Sequence, residues 1–172
     1  MLEHMGLSVL DEHPHRIVPQ GAPPIAMHDF GLQSALPGVD LEVDTLHAVF
    51  EDAFGRIFRG EVENDDFNRL VVAARMSAEE IVVLRAYAKY MRQTGFPLSQ
   101  SFVEGTLSAH PDVARLLIEL FRVRFDPEGG DGAGARAAEC ERAIQAALES
   151  VENLSEDRVL RQLLALINAT TR

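Results

Sequence analysis

A run of histidines, a crowded set of carboxylates, one cysteine, a glycine-rich stretch and a row of cations are the residues of this chain whose types and spacing bear on chemistry. His4, His13, His15 and His28 lie near one another, with Asp11, Glu12 and Asp29 among them. In His13-Pro14-His15 the two imidazoles point to one side of an extended chain, and His28 could face them from a second strand. A metal needs such a cluster with defined geometry and supporting outer contacts. No zinc-type spacing occurs, so these are read as solvent-facing hairpin residues and no metal site is assigned.

Glu61, Glu63, Asp65 and Asp66 crowd one loop. Paired acids perform acid–base work when one is buried, and grouped acids hold calcium. The loop lacks the D-x-D-x-D-G order of an EF-hand, and is read as a solvated loop in which Asn64 or Asp65 caps the next helix. Gly130-Asp131-Gly132-Ala133-Gly134-Ala135 fits a loose dinucleotide fingerprint. That fingerprint requires a preceding strand, whereas Val113 to Phe125 has helical periodicity, so the stretch is read as an interhelix linker. Cys140 is flanked by Glu139 and Glu141, which raise a thiol pKa and make it a poor nucleophile. No G-x-S-x-G, P-loop or H-E-x-x-H motif occurs. No residue is nominated as catalytic, cofactor-binding or metal-binding.

The cations remain. Arg85, Lys89 and Arg92 recur at i, i+4 and i+7 and are read as one stripe opposite an apolar face of Ile81, Leu84, Ala88 and Met91. Tyr87 and Tyr90 flank it as half-buried packing residues. The stripe is read as a solvated face meeting carboxylates of this chain or of a neighbouring domain, and its three cations are the candidate partner contacts.

The bulk composition narrows the choices. The 172 residues carry 16 Lys+Arg against 27 Asp+Glu, a formal net charge of −11. Counterion displacement from nucleic acid, or attraction to an anionic bilayer, needs clustered cations instead. Neither partner is expected. One cysteine forbids an internal disulfide and fits a cytoplasmic location. No apolar run approaches the roughly 20 residues of a membrane span, and the first residues lack the basic and apolar regions of a signal peptide.

The elements that must position these residues follow from periodicity. LEHMG reads as a last helical turn closed by Gly6. Leu7 to Pro19 reads as a strand kinked near Pro14, and Ile25 to Gln33 as its hairpin partner, with Ile25 and Met27 on one face and His28 and Phe30 on the other. An isolated hairpin is marginal in water, so its partners are expected elsewhere, and its open edge predicts self-association. From SALPGVDLEVD the period changes to 3.6. Leu41 to Arg59 contains a long amphipathic helix stopped at Gly60. Ser77 and Glu80 form a capping box for a helix ending at Gly95. A short helix follows Pro97, Pro111 opens another, and two more close the chain, the last capped by Ser155 and Asp157. The expected fold is α+β, predominantly α: a hairpin segment over residues 1–38 and a bundle of about seven helices over 39–172.

Three long stretches, "GEVENDDFNRLV", "LRAYAKYMRQTGFPLSQSF" and "HPDVARLLIELFRVRFDP", resemble the helical region of the large bacterial NAD-specific glutamate dehydrogenases. "HMGLSVLDEHPHRI" and "IAMHDFGL" resemble the strand pair ending their last ACT-like module, and "SEDRVLRQLLALINATTR" their last helix before the dehydrogenase core. The resemblance is collinear over nearly the whole chain. It implies a parent enzyme that oxidises L-glutamate with NAD to 2-oxoglutarate and ammonia. It also implies that the catalytic lysines and aspartate, and the Rossmann domain holding NAD, lie in a later part of the polypeptide. No catalytic residue carries over. The expectation is a structural and regulatory segment of a homo-oligomer, whose partners are the remaining domains of that polypeptide. The alternative is a stand-alone helical interaction module whose stripe binds an acidic partner.

Overall fold

The computed structural model describes residues 1–127, 130 and 132–171. Among them, a single 3-10 turn, Glu3–Met5, leads into a two-stranded antiparallel hairpin, β1 (Leu7–Ile17) and β2 (Ile25–Ser34). Seven α-helices follow: α1 (Val43–Phe58), α2 (Arg69–Ala74), α3 (Ala78–Gln93), α4 (Gln100–Ala109), α5 (Pro111–Phe125), α6 (Ala133–Leu148) and α7 (Leu154–Ala169). This is the expected α+β, predominantly α architecture. A second 3-10 turn, Asp66–Asn68, precedes α2.

Three helices begin on a local rule. In α3 the Ser77 hydroxyl accepts from Glu80 N while the Glu80 carboxylate accepts from Ser77 N, which satisfies two orphan donors at once. Ser99 caps α4 by accepting from Phe102 N, and Pro111 opens α5 where a missing N–H costs nothing. The apolar stripes of the helices then meet in one core. Phe67, Leu70, Ile81, Leu84, Met91, Leu107, Leu117, Leu120, Ile144, Leu160 and Leu163 are all fully buried there. At about 25 cal/mol per Å² of apolar surface removed from water, this shared burial is what holds short, individually marginal helices.

The hairpin joins that core only at its root. Met5 and Leu7 are buried, Leu32 and Leu36 pack partly against the core, and β1 is exposed from Leu10 to Ile17. Gly6 makes the junction, at φ 82°, with Leu36 Cδ1 only 2.9 Å from where a Cβ would stand. Any larger residue there meets both backbone strain and a clash.

Four details depart from the sequence reading. LEHMG is a 3-10 turn rather than the end of an α-helix. β1 does not kink at Pro14; the register slips between Val9 and Asp11, and Leu10 is the extra residue. Asp65 stands at the start of the turn before α2 without capping it, because its carboxylate is engaged by Arg85. The cap of α7 is Asn153, whose Oδ1 accepts from Ser155 N and Glu156 N, so Ser155 and Asp157 already lie within the first turn and do not cap it.

Candidate functional site

The most connected polar site forms where the acidic loop between α1 and α2 crosses α3. Arg85 projects from α3 and is only 4% exposed. Its Nε donates to Asp65 Oδ2 and its Nη2 to Asp65 Oδ1, both at 2.8 Å, the two-pronged geometry a planar guanidinium gives to a carboxylate. Nη2 also donates to Asn68 Oδ1 at 3.0 Å, and Asn68 Nδ2 donates to Glu63 O at 2.9 Å. The guanidinium carbon sits 5.5 Å from the Phe67 ring centroid, within the range of a cation–π contact. Its charge is thus neutralised and most of its donors are used, which burial demands.

The other loop carboxylates find cations too. Lys89 donates to Glu63 from the solvent side, and that hydrogen bond, foremost, holds the Glu63 carboxyl below its usual range. Arg59 does the same for Glu61. Asp66 lies 2.6 Å from His4 Nδ1 and 2.9 Å from Arg69 Nη2. From α4, Glu104 enters the same region almost fully buried, with Gln100 Nε2 donating to it at 2.8 Å. Burial pushes its carboxyl up; the Gln100 bond opposes this, and the nearby Asp65 and Asp66 charges add to it.

The stripe is therefore divided. Arg85 is inside, Lys89 is exposed and paired with Glu63, and Arg92 is exposed, donating to Gln100 Oε1 at 3.2 Å. Arg85 is not opposite the apolar face. It lies four residues after Ile81, which on an α-helix makes the two neighbours, and that spacing is the signal that shows its burial. Tyr87 is half-buried, edge-on to Phe121 and hydrogen-bonded to Thr170 at 2.9 Å, whereas Tyr90 is largely exposed.

The histidines do not converge. The register places His13 opposite Asp29, Pro14 opposite His28 and His15 opposite Met27. Residues directly opposite share a face, so His28 lies on the face away from His13 and His15. There it contacts Glu12 at 2.6 Å and stacks on Phe30. Among the described residues no three of His, Cys, Asp or Glu are placed to hold a metal.

Cys140 is buried. Desolvation first, then Glu119 and Glu139, push its thiol up, and Glu141 turns instead toward Arg124 at 3.9 Å. Of the glycine-rich stretch, Asp131 lies outside the described residues, but the element before it is the helix α5 and not a strand. A groove of about 680 Å³ that the sequence reading did not find is lined by Arg75, Arg115 and Arg122 with Glu80 and Glu119. Three of its arginines are turned to internal acceptors: Arg75, at φ 54°, donates to Val72 O and Asp40 O, Arg115 to Ala74 O, and Arg122 pairs with Glu80. Arg115 and Arg122 are seven residues apart on α5, so their shared face was legible; their partners, the Ala74 carbonyl at the end of α2 and the Glu80 carboxylate on α3, were not.

These geometries describe a molecular clasp. The comparison with known proteins agrees with the architecture. Residues 1–46 match the family model of the glutamate dehydrogenase ACT3 domain, and residues 62–127 match that of glutamate dehydrogenase helical motif 3. The hairpin and its junction thus lie in the stretch similar to the ACT3 model, and the clasp, with α2 to α5, in the stretch similar to the helical-motif model.

Over its whole length the chain is similar to NAD-specific glutamate dehydrogenases. It is 39% identical over 172 residues to the NAD-specific glutamate dehydrogenase of Halomonas elongata. It is 38% identical, over 175 and 178 residues, to those of Pseudomonas aeruginosa and Mycobacterium tuberculosis. All of this chain is covered in each comparison, but only 10%, 11% and 11% of those proteins, so it spans about a tenth of their length. Among the described residues no helix is long and apolar enough to cross a membrane.

Proposed function

We propose that this chain is a non-catalytic, structural and regulatory segment of an NAD-dependent glutamate dehydrogenase, joining an ACT-type module to the catalytic core of a cytoplasmic homo-oligomer. The observation that carries this reading is the collinear match of the whole chain to a tenth of much longer relatives. NAD and L-glutamate act elsewhere in the parent polypeptide.

The clasp suits that role physically. His4 and Met5 at the hairpin root meet the turn at Asp66 and Phe67, and Asp65 in the next position is locked to Arg85 on α3. A displacement of the hairpin root therefore acts on α3 through consecutive residues of one turn. Lys89 and Arg92, on the exposed side of α3, are the proposed contacts with the remaining domains, and Arg85 serves them by holding the loop in place. The rival reading, a stand-alone module binding an acidic partner, has one of its three cations buried and a second neutralised by Glu63.

Replacing the corresponding stretch of the Pseudomonas aeruginosa enzyme by this chain tests the proposal. Retained glutamate-dependent NAD reduction and an unchanged assembly size are expected. A well-folded chimaera that assembles normally yet shows no turnover counts against it, as does NAD reduction by this chain alone.

A further inference from the structure

Glu104 is the odd carboxylate of the clasp. Around it, Asp65 is paired with Arg85, Asp66 with Arg69 and Glu63 with Lys89. Glu104 is 6% exposed, and the group that donates to it, Gln100 Nε2, carries no charge. Among the described residues, the elements packed around α4 do not supply the missing cation. From the loop, Asp65 and Asp66 repel its charge, and from α3 Arg85 attracts it while already holding Asp65 through two bonds. Arg69, at the start of α2, is turned to Asp66. On α5, Asp112, Arg115 and Glu119 are exposed. On α7, Glu156 pairs with His110 at the end of α4, Asp157 pairs with Arg161, and Arg158 lies over the Phe96 ring.

An ionised carboxylate so placed loses hydration without gaining a countercharge of its own, and it stands near two like charges. The neutral carboxyl keeps the Gln100 bond at far lower cost. The 3-10 turn Asp66–Asn68 packs against α4 and also against the turn Glu3–Met5 at the hairpin root. There His4 meets Asp66 at 2.6 Å, and Met5 and Phe67 are fully buried. Glu104 therefore bears from inside on the joint between hairpin and bundle.

We propose that Glu104 is a proton-operated switch of this joint. With the carboxyl neutral, the turn at Asp66–Asn68 stays seated between α4 and the hairpin root. With the carboxylate ionised, its repulsion of Asp65 and Asp66 unseats that turn and loosens the root. The proton leaves to water, so opening the joint and releasing the proton are one linked equilibrium. Main-chain bonds report on it: Gly6 N donates to Glu3 O at 3.0 Å, Leu7 N to Leu2 O at 3.2 Å, and Asn68 N to Asp65 O at 3.1 Å. The groups involved are buried or paired within this chain, so the switch does not depend on the glutamate dehydrogenase reading.

Amide exchange of the purified chain tests this, followed by NMR from pH about 4 to about 8 and corrected for the intrinsic pH dependence of exchange. Protection of Gly6, Leu7 and Asn68 is expected to fall at least about threefold as Glu104 ionises. The side-chain carboxyl 13C shift of Glu104 should follow the same curve. Glu104→Gln keeps an acceptor without a charge, and should hold all three amides at their acid-side protection throughout. His4 also exchanges a proton beside Asp66, and the variant separates the two groups: a fall that persists in Glu104→Gln belongs elsewhere and overturns the proposal. A level profile in the unaltered chain overturns it as well. So does protection of Gly6 and Leu7 at the alkaline end equal to that of Ile144 and Leu160, since the joint would then open only with the whole fold. Should the variant fail to fold, the unaltered chain decides alone: coincident midpoints for the carboxyl and the three amides support the switch, and separate midpoints overturn it.

Discussion

Arg85 and Asp65 are joined by two hydrogen bonds of 2.8 Å, with the Arg85 side chain 5% and the Asp65 side chain 17% exposed. Breaking a buried pair by removing one partner costs about 3–5 kcal/mol, because the remaining charge stays in a low-dielectric site. Asp65→Ala is therefore expected to lower unfolding free energy by about 3 kcal/mol, read from urea denaturation followed by helical circular dichroism. Asp65→Ala combined with Arg85→Met should be less damaging than the single change. A double variant as unstable as the sum of both singles would falsify a coupled pair.

Lys89 makes the contrasting case. It meets Glu63 from solvent, and exposed pairs contribute about 0–1 kcal/mol. Lys89→Ala should shift the urea midpoint barely, and less still at high salt. A loss as large as that of Asp65→Ala would mean that the outer pair, not Arg85, holds the loop.

Glu104 sets a pH dependence. Its carboxyl is raised in the folded chain, foremost by burial. A carboxyl raised on folding binds its proton more tightly in the native state, so its contribution is fully present below the ordinary carboxylate range. It is lost as pH rises through the raised folded value. Glu104→Gln keeps an acceptor for Gln100 without the charge. The variant should be more stable than the unaltered chain at neutral pH, and the difference should vanish in acid. Equal stability of the two proteins at neutral pH would show that the carboxylate is solvated.

Ser77 tests the local origin of α3. Its hydroxyl is one half of the capping box, and replacing such a cap by alanine costs about 1 kcal/mol. Ser77→Ala should show that loss in denaturant titration. Glu80→Ala should cost more, since Glu80 also pairs with Arg122 at 3.0 Å.

Cys140 is expected to react slowly with a disulfide reagent in the native protein and rapidly in urea, because burial and two carboxylates keep it a thiol. Labelling at equal rates in both conditions would place it at the surface.

The sequence by itself determined most of the helices and the existence of the hairpin. Ser77 and Glu80, Pro111, Gly60 and Gly95 act within one turn, and the apolar period of Ile81, Leu84, Ala88 and Met91 states which face is buried. These are short-range signals, and a chain can be read for them residue by residue. Tertiary structure alone decided the pairings. Asp65 looked like a cap, but a buried guanidinium twenty residues on offers more to a carboxylate than a helix end does. His28 looked ready to face His13 and His15, but the bulge at Leu10 sets a register that places it across from Pro14, on the opposite face. In both cases the outcome depends on which distant backbone packs alongside, and that is fixed by burying the shared core, to which no single segment holds the key.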